Sequence, residues 1–223
     1  MEKEWSEYHG RWGGRHWLDR AMEHWEFNRK FHRKLSAHLE AGDTLLDIGS
    51  GKGYSAAYFA AHGHPVTGID TDRGAVEEAN AWAERLSLPA RFRVEDIFTY
   101  RSGERFRMSY SMGLIEHFPP DRAARMLAIQ AEISTFVVAM APTSHSLRTV
   151  APCAIPWTPQ TFKSMRSAFE RAGLEVVDSF GAGEVWSRWE GPLHAALPPM
   201  AVHFLQNRFG YAMGVAVVGR RRG

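Results

Sequence analysis

Cysteine is almost absent. Cys153 stands alone in 223 residues, which excludes an intrachain disulfide and any multi-cysteine metal site and suits a reducing, cytoplasmic setting. Cys153 itself reads as a small buried residue, since no activating partner lies near it in sequence. No apolar run approaches the ~20 residues that a membrane-crossing helix needs, so no membrane partner is expected. The opening Met-Glu-Lys-Glu-Trp lacks a basic start leading into an apolar stretch, so no secretory signal is expected there. An excess of one charge is also missing. A formal net charge of +2 does not call for a polyanionic partner, and nucleic acid is not the default substrate. The eleven histidines include no pair spaced with a carboxylate for a metal, so no metal is expected. Repeats and low-complexity segments are absent.

What is present describes a well-packed chain. Hydrophobic residues make up 44% and charged residues 23%, the balance of an ordinary globular protein, and the length suits one domain of generous size. The organising stretch is Leu45 to Gly53, Leu-Leu-Asp-Ile-Gly-Ser-Gly-Lys-Gly. A short apolar run broken by glycines and followed by helix-forming Tyr54 to Ala61 reads as strand, tight turn, helix. Glycines there let a backbone approach a ligand closely, and a helix start offers N–H groups to negative charge.

Spacing separates the nucleotide-site readings of these glycines. A dinucleotide fingerprint counted from Gly49 needs its third glycine where Tyr54 stands. A phosphate-cradling loop needs Ser or Thr after Gly51-Lys52, where Gly53 stands, and a glycine at Leu46. Asp47 on the strand followed by Gly49-x-Gly51-x-Gly53 resembles instead the first motif of class I S-adenosylmethionine-dependent methyltransferases. Pro65 to Asp70 reads as a second strand ending in a carboxylate about twenty residues past the turn, the separation at which an acid lands beside a bound ribose. Asp72 could assist, or simply cap the next helix, Arg73 to Leu86, whose inward stripe is Val76, Ala79, Ala83 and Leu86.

Arg91 to Val94 alternates as a third strand. In the resembling family an acid just beyond it receives the adenine amino group, and Asp96 stands at the matching place with Ile97 beside it. Phe106 to Ser111 is the fourth strand, and Leu114-Ile115-Glu116-His117-Phe118 resembles the Leu-x-Glu-His-Phe stretch of small-molecule methyltransferases. Two departures stand out. Arg107 replaces the family's usual acid after the phenylalanine, and Ser111-Met112-Gly113-Leu114 replaces the Asp/Asn-Pro-Pro-Tyr/Phe run of many amino-methylating enzymes. Methylation of a DNA amine or a glutamine amide is therefore disfavoured. The resemblance implies S-adenosyl-L-methionine as cofactor and S-adenosyl-L-homocysteine as product. It assigns them to Asp47, Gly49, Ser50, Gly51, Gly53, Asp70, Thr71, Asp96, Ile97, Ser111 and Met112. His117 has two readings: a base for the acceptor's proton, with an ordinary pKa of about 6.5, or a helix-start histidine bonded to backbone. Glu116 reads as structural or cofactor-adjacent.

Asp121 to Glu132 reads as a helix and Thr135 to Met140 as a buried central strand. Pro159 opens a helix through Arg171, Leu174 to Phe180 is a sixth strand, and Tyr211 to Val218 is the last. Residues 1–27 hold half of the eight tryptophans. They form either a packed aromatic cap or one wall of a substrate pocket, with Tyr8, His9 and Trp12 as candidates. A helix from Trp17 to His38 turns Leu18, Met22, Trp25, Phe31, Leu35 and Leu39 inward. His145 and Arg148, after the fifth strand, and Trp186 and Arg188, in a long connection, complete the substrate candidates. Arg220 to Arg222 reads as a solvated end.

The implied fold is a doubly wound, seven-stranded, mostly parallel α/β sheet, order 3-2-1-4-5-7-6. Residues 1–40 form an aromatic-rich cap, and 41–223 the cofactor-binding domain, with 181–210 inserted over the substrate. The implied activity is in-line O- or N-methylation of a small molecule, aromatic or acidic. The alternatives are RNA or protein methylation, or retention of the cofactor without transfer. Oligomeric state is not read from the sequence.

Overall fold

The computed structural model describes residues 16–148, 155–183 and 197–221. Helices α1 (Trp17–Phe27) and α2 (Arg29–Ser36) precede strand β1 (Leu45–Ile48), then α3 (Tyr54–Ala61), β2 (Val66–Asp70), α4 (Arg73–Arg85), β3 (Ala90–Val94) and β4 (Phe106–Met112). The chain continues through α5 (Pro120–Ile133), β5 (Ser134–Pro142), α6 (Phe162–Arg171), β6 (Leu174–Ala182), α7 (Pro199–Phe209) and β7 (Gly214–Arg221). Short 3-10 turns occupy Ile115–His117 and Ser144–Arg148.

All seven strands join one sheet in the order β3-β2-β1-β4-β5-β7-β6, parallel except for β7, which runs antiparallel to both neighbours. Side chains alternate across each strand, so Leu45 and Leu46 feed opposite cores. One core gathers Phe31 and Leu35 of α2, Phe59 of α3, Val76 of α4 and Tyr110 of β4. The other gathers Ile48, Met126 and Leu127 of α5, and Met165 and Phe169 of α6. Helices on both faces, with crossovers reversing direction beside β1, open a crevice at the carboxyl ends of β1 and β4, where ligands bind in such sheets.

Several expected boundaries move for local reasons. The single N-terminal helix is two, because Asn28 leaves the helical region (φ −100°, ψ 15°). The buried face of α1 is Trp17 and Ala21, so Met22 turns outward at 63% exposed. Pro159 does not open α6. Thr161 does, in a capping box in which its hydroxyl accepts from the Ser164 amide and Ser164 returns the bond. Leu86 lies past the end of α4 and is 37% exposed. Arg220 and Arg221 belong to β7, and Arg220 pairs with Glu175 across the sheet.

Phe92 of β3 sets the spacing between β2 and the start of α3 at the β3 end of the sheet. A Cβ on Gly68 would lie 2.3 Å from its ring, and one on Gly53 2.6 Å. Replacing Gly68 by alanine forces the ring out of a close-packed place. Gly68→Ala is expected to lower stability by about 1–3 kcal/mol, read as a lower urea midpoint with unchanged slope.

Candidate active site

The turn after β1 is shaped by backbone. Gly49, Gly51 and Gly53 all have positive φ, of 68°, 49° and 77°, a region that side chains other than glycine enter at a cost. Four of the turn's amides are spent on the fold. Gly49 and Ser50 both donate to the Ile69 carbonyl, and Gly53 donates to Ser50. Gly51 donates to the Asp70 carboxylate at 2.8 Å. The turn therefore offers a ligand a close, side-chain-free surface more than a set of open donors.

Asp70 ends β2 and is half-buried. Its second oxygen accepts from the Asp72 amide at 2.9 Å, so one carboxylate ties the glycine turn to the start of α4. Asp72 caps that helix through the Gly74 and Ala75 amides. Thr71 is exposed between the two acids. Asp70 pairs with Val94 across the β2–β3 ladder, and the Glu95 amide donates to the Asp70 carbonyl, which brings Asp96 to the same edge. Asp96 is half-buried and accepts from the Phe98 amide at 2.9 Å; Ile97 beside it is buried. The structure thus gathers Gly49, Ser50, Gly51, Gly53, Asp70, Thr71, Asp96 and Ile97 at one crevice.

Asp47 lies beneath the turn rather than at its surface. It is 3% exposed, and the Tyr110 hydroxyl donates to it at 3.0 Å. Burial pushes its carboxyl up to about 7, with nearby Asp70 adding to the rise and the Tyr110 hydroxyl and Ala56 amide opposing it. No local pattern marks Tyr110 as its partner, because sixty-three positions separate the pair. From β1's neighbour β4 come Ser111, fully buried with an unpartnered hydroxyl, and half-buried Met112. Ser111 pairs with Ile48 in the β1–β4 ladder, at the carboxyl edge.

Past β4, Leu114 packs where a side chain on Gly49 would come within 3.1 Å, so the 3-10 turn touches the glycine turn. His117 shares a bond with the Pro156 carbonyl through Nδ1 at 2.8 Å. A carbonyl only accepts, so Nδ1 carries the hydrogen and Nε2 holds the lone pair of the neutral ring. Burial lowers the pKa of His117 against the opposing pull of that carbonyl. The backbone-bonded reading thus describes the Nδ1 side of the ring. Glu116 is 4% exposed, and burial pushes its carboxyl up to about 8.

The N-terminal helices grip the same turn. Trp17 donates its indole N–H to the Lys52 carbonyl at 3.0 Å, and Trp25 donates to the Tyr54 carbonyl at 2.6 Å. Lys52 in turn pairs with Glu78 of α4 at 2.8 Å. His24 and His32 both reach the Ser55 hydroxyl, at 2.9 and 3.1 Å. Sequence periodicity shows apolar faces but not such polar contacts, so Trp17 and Trp25 read there only as packing aromatics and His24 and His32 not at all.

The substrate candidates are not all brought to this crevice. His145 packs edge-on against Tyr211, its ring 4.9 Å away, beyond the end of β5. Arg148 ends the same 3-10 turn. Tyr8, His9, Trp12, Trp186 and Arg188, together with Cys153, lie outside the described residues. Among the described residues no group of three histidine, cysteine or acidic side chains could hold a metal, and no helix is long and apolar enough to cross a membrane.

Residues 45–133 match a family described as a methyltransferase domain. That match, the curated relatives and the solved neighbours together support a class I S-adenosylmethionine-dependent methyltransferase. A ubiquinone biosynthesis O-methyltransferase of Nitrobacter winogradskyi is 28% identical over 180 residues, 71% of this chain and 69% of that protein. The protein of the same name from Paramagnetospirillum magneticum is 38% identical over 78 residues, 35% of this chain but only 31% of its own length. Magnesium protoporphyrin IX methyltransferase from Synechocystis, solved with bound SAH, superposes with a TM-score of 0.65 over 93% of this chain and 89% of that one, at 15% identity. The cofactor of this family is S-adenosyl-L-methionine, and the crevice suits it. A side-chain-free turn, a carboxylate at the end of β2 and a second acid beyond β3 lie along one edge, and the Ser111 hydroxyl there is without a partner.

A buried acid with a raised pKa binds its proton more tightly in the folded state. Its contribution is therefore fully present below the unfolded value of 3.8 and falls away as pH rises toward 7. Asp47→Asn is expected to flatten the fall in unfolding free energy between about pH 4 and 7, measured by urea titration at a series of pH values against the wild type. An unchanged slope would refute the buried, proton-holding state of Asp47.

Proposed function

We propose that this methyltransferase moves a methyl group to an oxygen or nitrogen of a small molecule. The carrying observation is that Asp70 and Asp96, twenty-six positions apart, meet the glycine turn at a single sheet edge. The relatives named for O-methylation favour an oxygen acceptor. The cofactor, when bound, supplies an electrophilic sulfonium methyl group. Every other contribution comes from the chain: Gly49, Ser50, Gly51 and Gly53 shape the wall beside the methionine portion, with Asp47 and Tyr110 holding that wall from below. Asp70 and Thr71 take the ribose. Asp96 and Ile97 take the adenine, and Ser111 and Met112 close the crevice from β4.

An in-line displacement needs little covalent help, so rate comes chiefly from orienting the acceptor. His117 accepts the acceptor's proton at Nε2. Its lowered pKa keeps the ring neutral near pH 7, ready to act as a base. His145 and Arg148, with Tyr8, His9, Trp12, Trp186 and Arg188, are the candidates for acceptor contact. Residues 1–40 act as a cap and 181–210 as the substrate-side insertion on the domain that spans 41–223.

Two measurements test this reading. SAH binding by calorimetry is expected to weaken at least about tenfold, or ~1.4 kcal/mol, in Asp70→Ala; undiminished affinity would remove Asp70 from the site. With methyl-labelled cofactor and a small-molecule extract, label is expected in a low-mass product, and His117→Ala is expected to slow its formation by roughly a hundredfold without changing SAH affinity. Label found only in RNA or protein, or never leaving the cofactor, would overturn the small-molecule assignment.

A further inference from the structure

Glu116 is an anomaly of burial. Its side chain is 4% exposed, and its Oε2 has no hydrogen-bond partner. A buried polar atom left unpaired costs stability, and such an atom in a native fold calls for an explanation. Its surroundings are part of the crevice. Glu116 sits in the 3-10 turn whose Leu114 packs on Gly49, and its own carbonyl accepts from the Thr158 amide at 3.1 Å. The His117 Nε2 lies 3.9 Å from Oε1. Gly113, at φ 71°, carries no side chain where a Cβ would stand 3.7 Å from that same oxygen. The turn therefore leaves Oε2 unsatisfied, while the other oxygen of the same carboxyl, Oε1, is the one near His117 Nε2.

We propose that Glu116 is an acceptor-binding residue, its Oε2 hydrogen-bonding an uncharged hydroxyl of the methyl acceptor next to His117. The inference rests on the methyltransferase reading above and adds to it the polarity of the group that the acceptor presents. Burial leaves Glu116 protonated at neutral pH, so the carboxyl offers one donor and one acceptor. His117 beside it is neutral at the same pH. Neither group carries a positive charge, so an anionic acceptor group would enter without a counter-ion, which is costly away from water. A hydroxyl meets both partners without that penalty.

The test uses the full chain loaded with SAH, and phenol and benzoate as probes, followed by saturation-transfer NMR. Phenol is expected to bind the wild type and, within about threefold, Glu116→Gln, which keeps a neutral donor and acceptor. In Glu116→Leu phenol binding is expected to fall at least about tenfold, with SAH affinity kept within threefold as the control for an intact fold. Glu116→Leu is also expected to melt at a higher temperature, because an apolar side chain leaves no orphaned oxygen. A higher melting temperature with undiminished phenol binding would assign Glu116 to the fold alone and overturn the proposal. So would benzoate binding the wild type more tightly than phenol, or SAH-loaded wild type that ignores phenol. Failure of SAH itself to bind would instead bring down the methyltransferase reading on which the proposal stands.

Discussion

The ring of Phe92 occupies the volume that side chains at Gly53 and Gly68 would need. It locks together three parts of the chain: β3, the middle of β2 and the start of α3. Interiors pack as densely as organic crystals, so that wedge admits little adjustment. With β2 held at that distance, its Ile69 carbonyl receives the amides of Gly49 and Ser50, and Asp70 reaches the Gly51 amide. The glycine turn is thus a consequence of aromatic packing behind it as much as of its own conformational freedom.

Beneath and around the turn lies a layer of buried polar groups that pull stability in opposite directions with pH. Asp47 and Glu116 have raised pKa values, so their contributions weaken as pH rises. Burial lowers His24 to about 4 and His32 to about 3, with Arg20 adding to the first and His24 and His62 to the second. Both contribute stability above the unfolded value of 6.5 that is lost as pH falls. All four surround the cofactor crevice or the helices that grip it. Polar burial of this kind is costly to folding, and its concentration around the glycine turn and the helices packed on it agrees with a site shaped for binding rather than for stability alone.

The N-terminal helices are joined to the crevice by hydrogen bonds as well as by packing. Indole N–H groups of Trp17 and Trp25 end on carbonyls of the turn and of α3, and Ser55 serves two imidazoles. A hydroxyl has one hydrogen to donate, so at least one of the two imidazoles donates to Ser55. This couples the cap's position to the shape of the cofactor turn, a link that reaches from sequence-distant aromatics to the ligand surface.

Much of the architecture was legible without coordinates. The Leu45–Ile48 strand, the glycines after it, and Asp70 and Asp96 at their spacings point to the observed fold, because short-range rules of turns and strands place them. Asn28, Thr161 and Met22 show where such rules fall short. A helix break, a cap three residues late and an outward-facing methionine follow from packing partners or from turn geometry that periodicity does not encode.

By itself, then, the amino-acid order determined the element sequence, the strand order of the family it resembles and the residues proposed for the cofactor edge. Only the tertiary structure decided that Asp47 is a supported acid below the turn, which nitrogen of His117 is basic, and that one oxygen of Glu116 is left without a partner. Protonation and hydrogen-bond satisfaction depend on burial and on groups tens of residues away, and those are properties of the assembled fold.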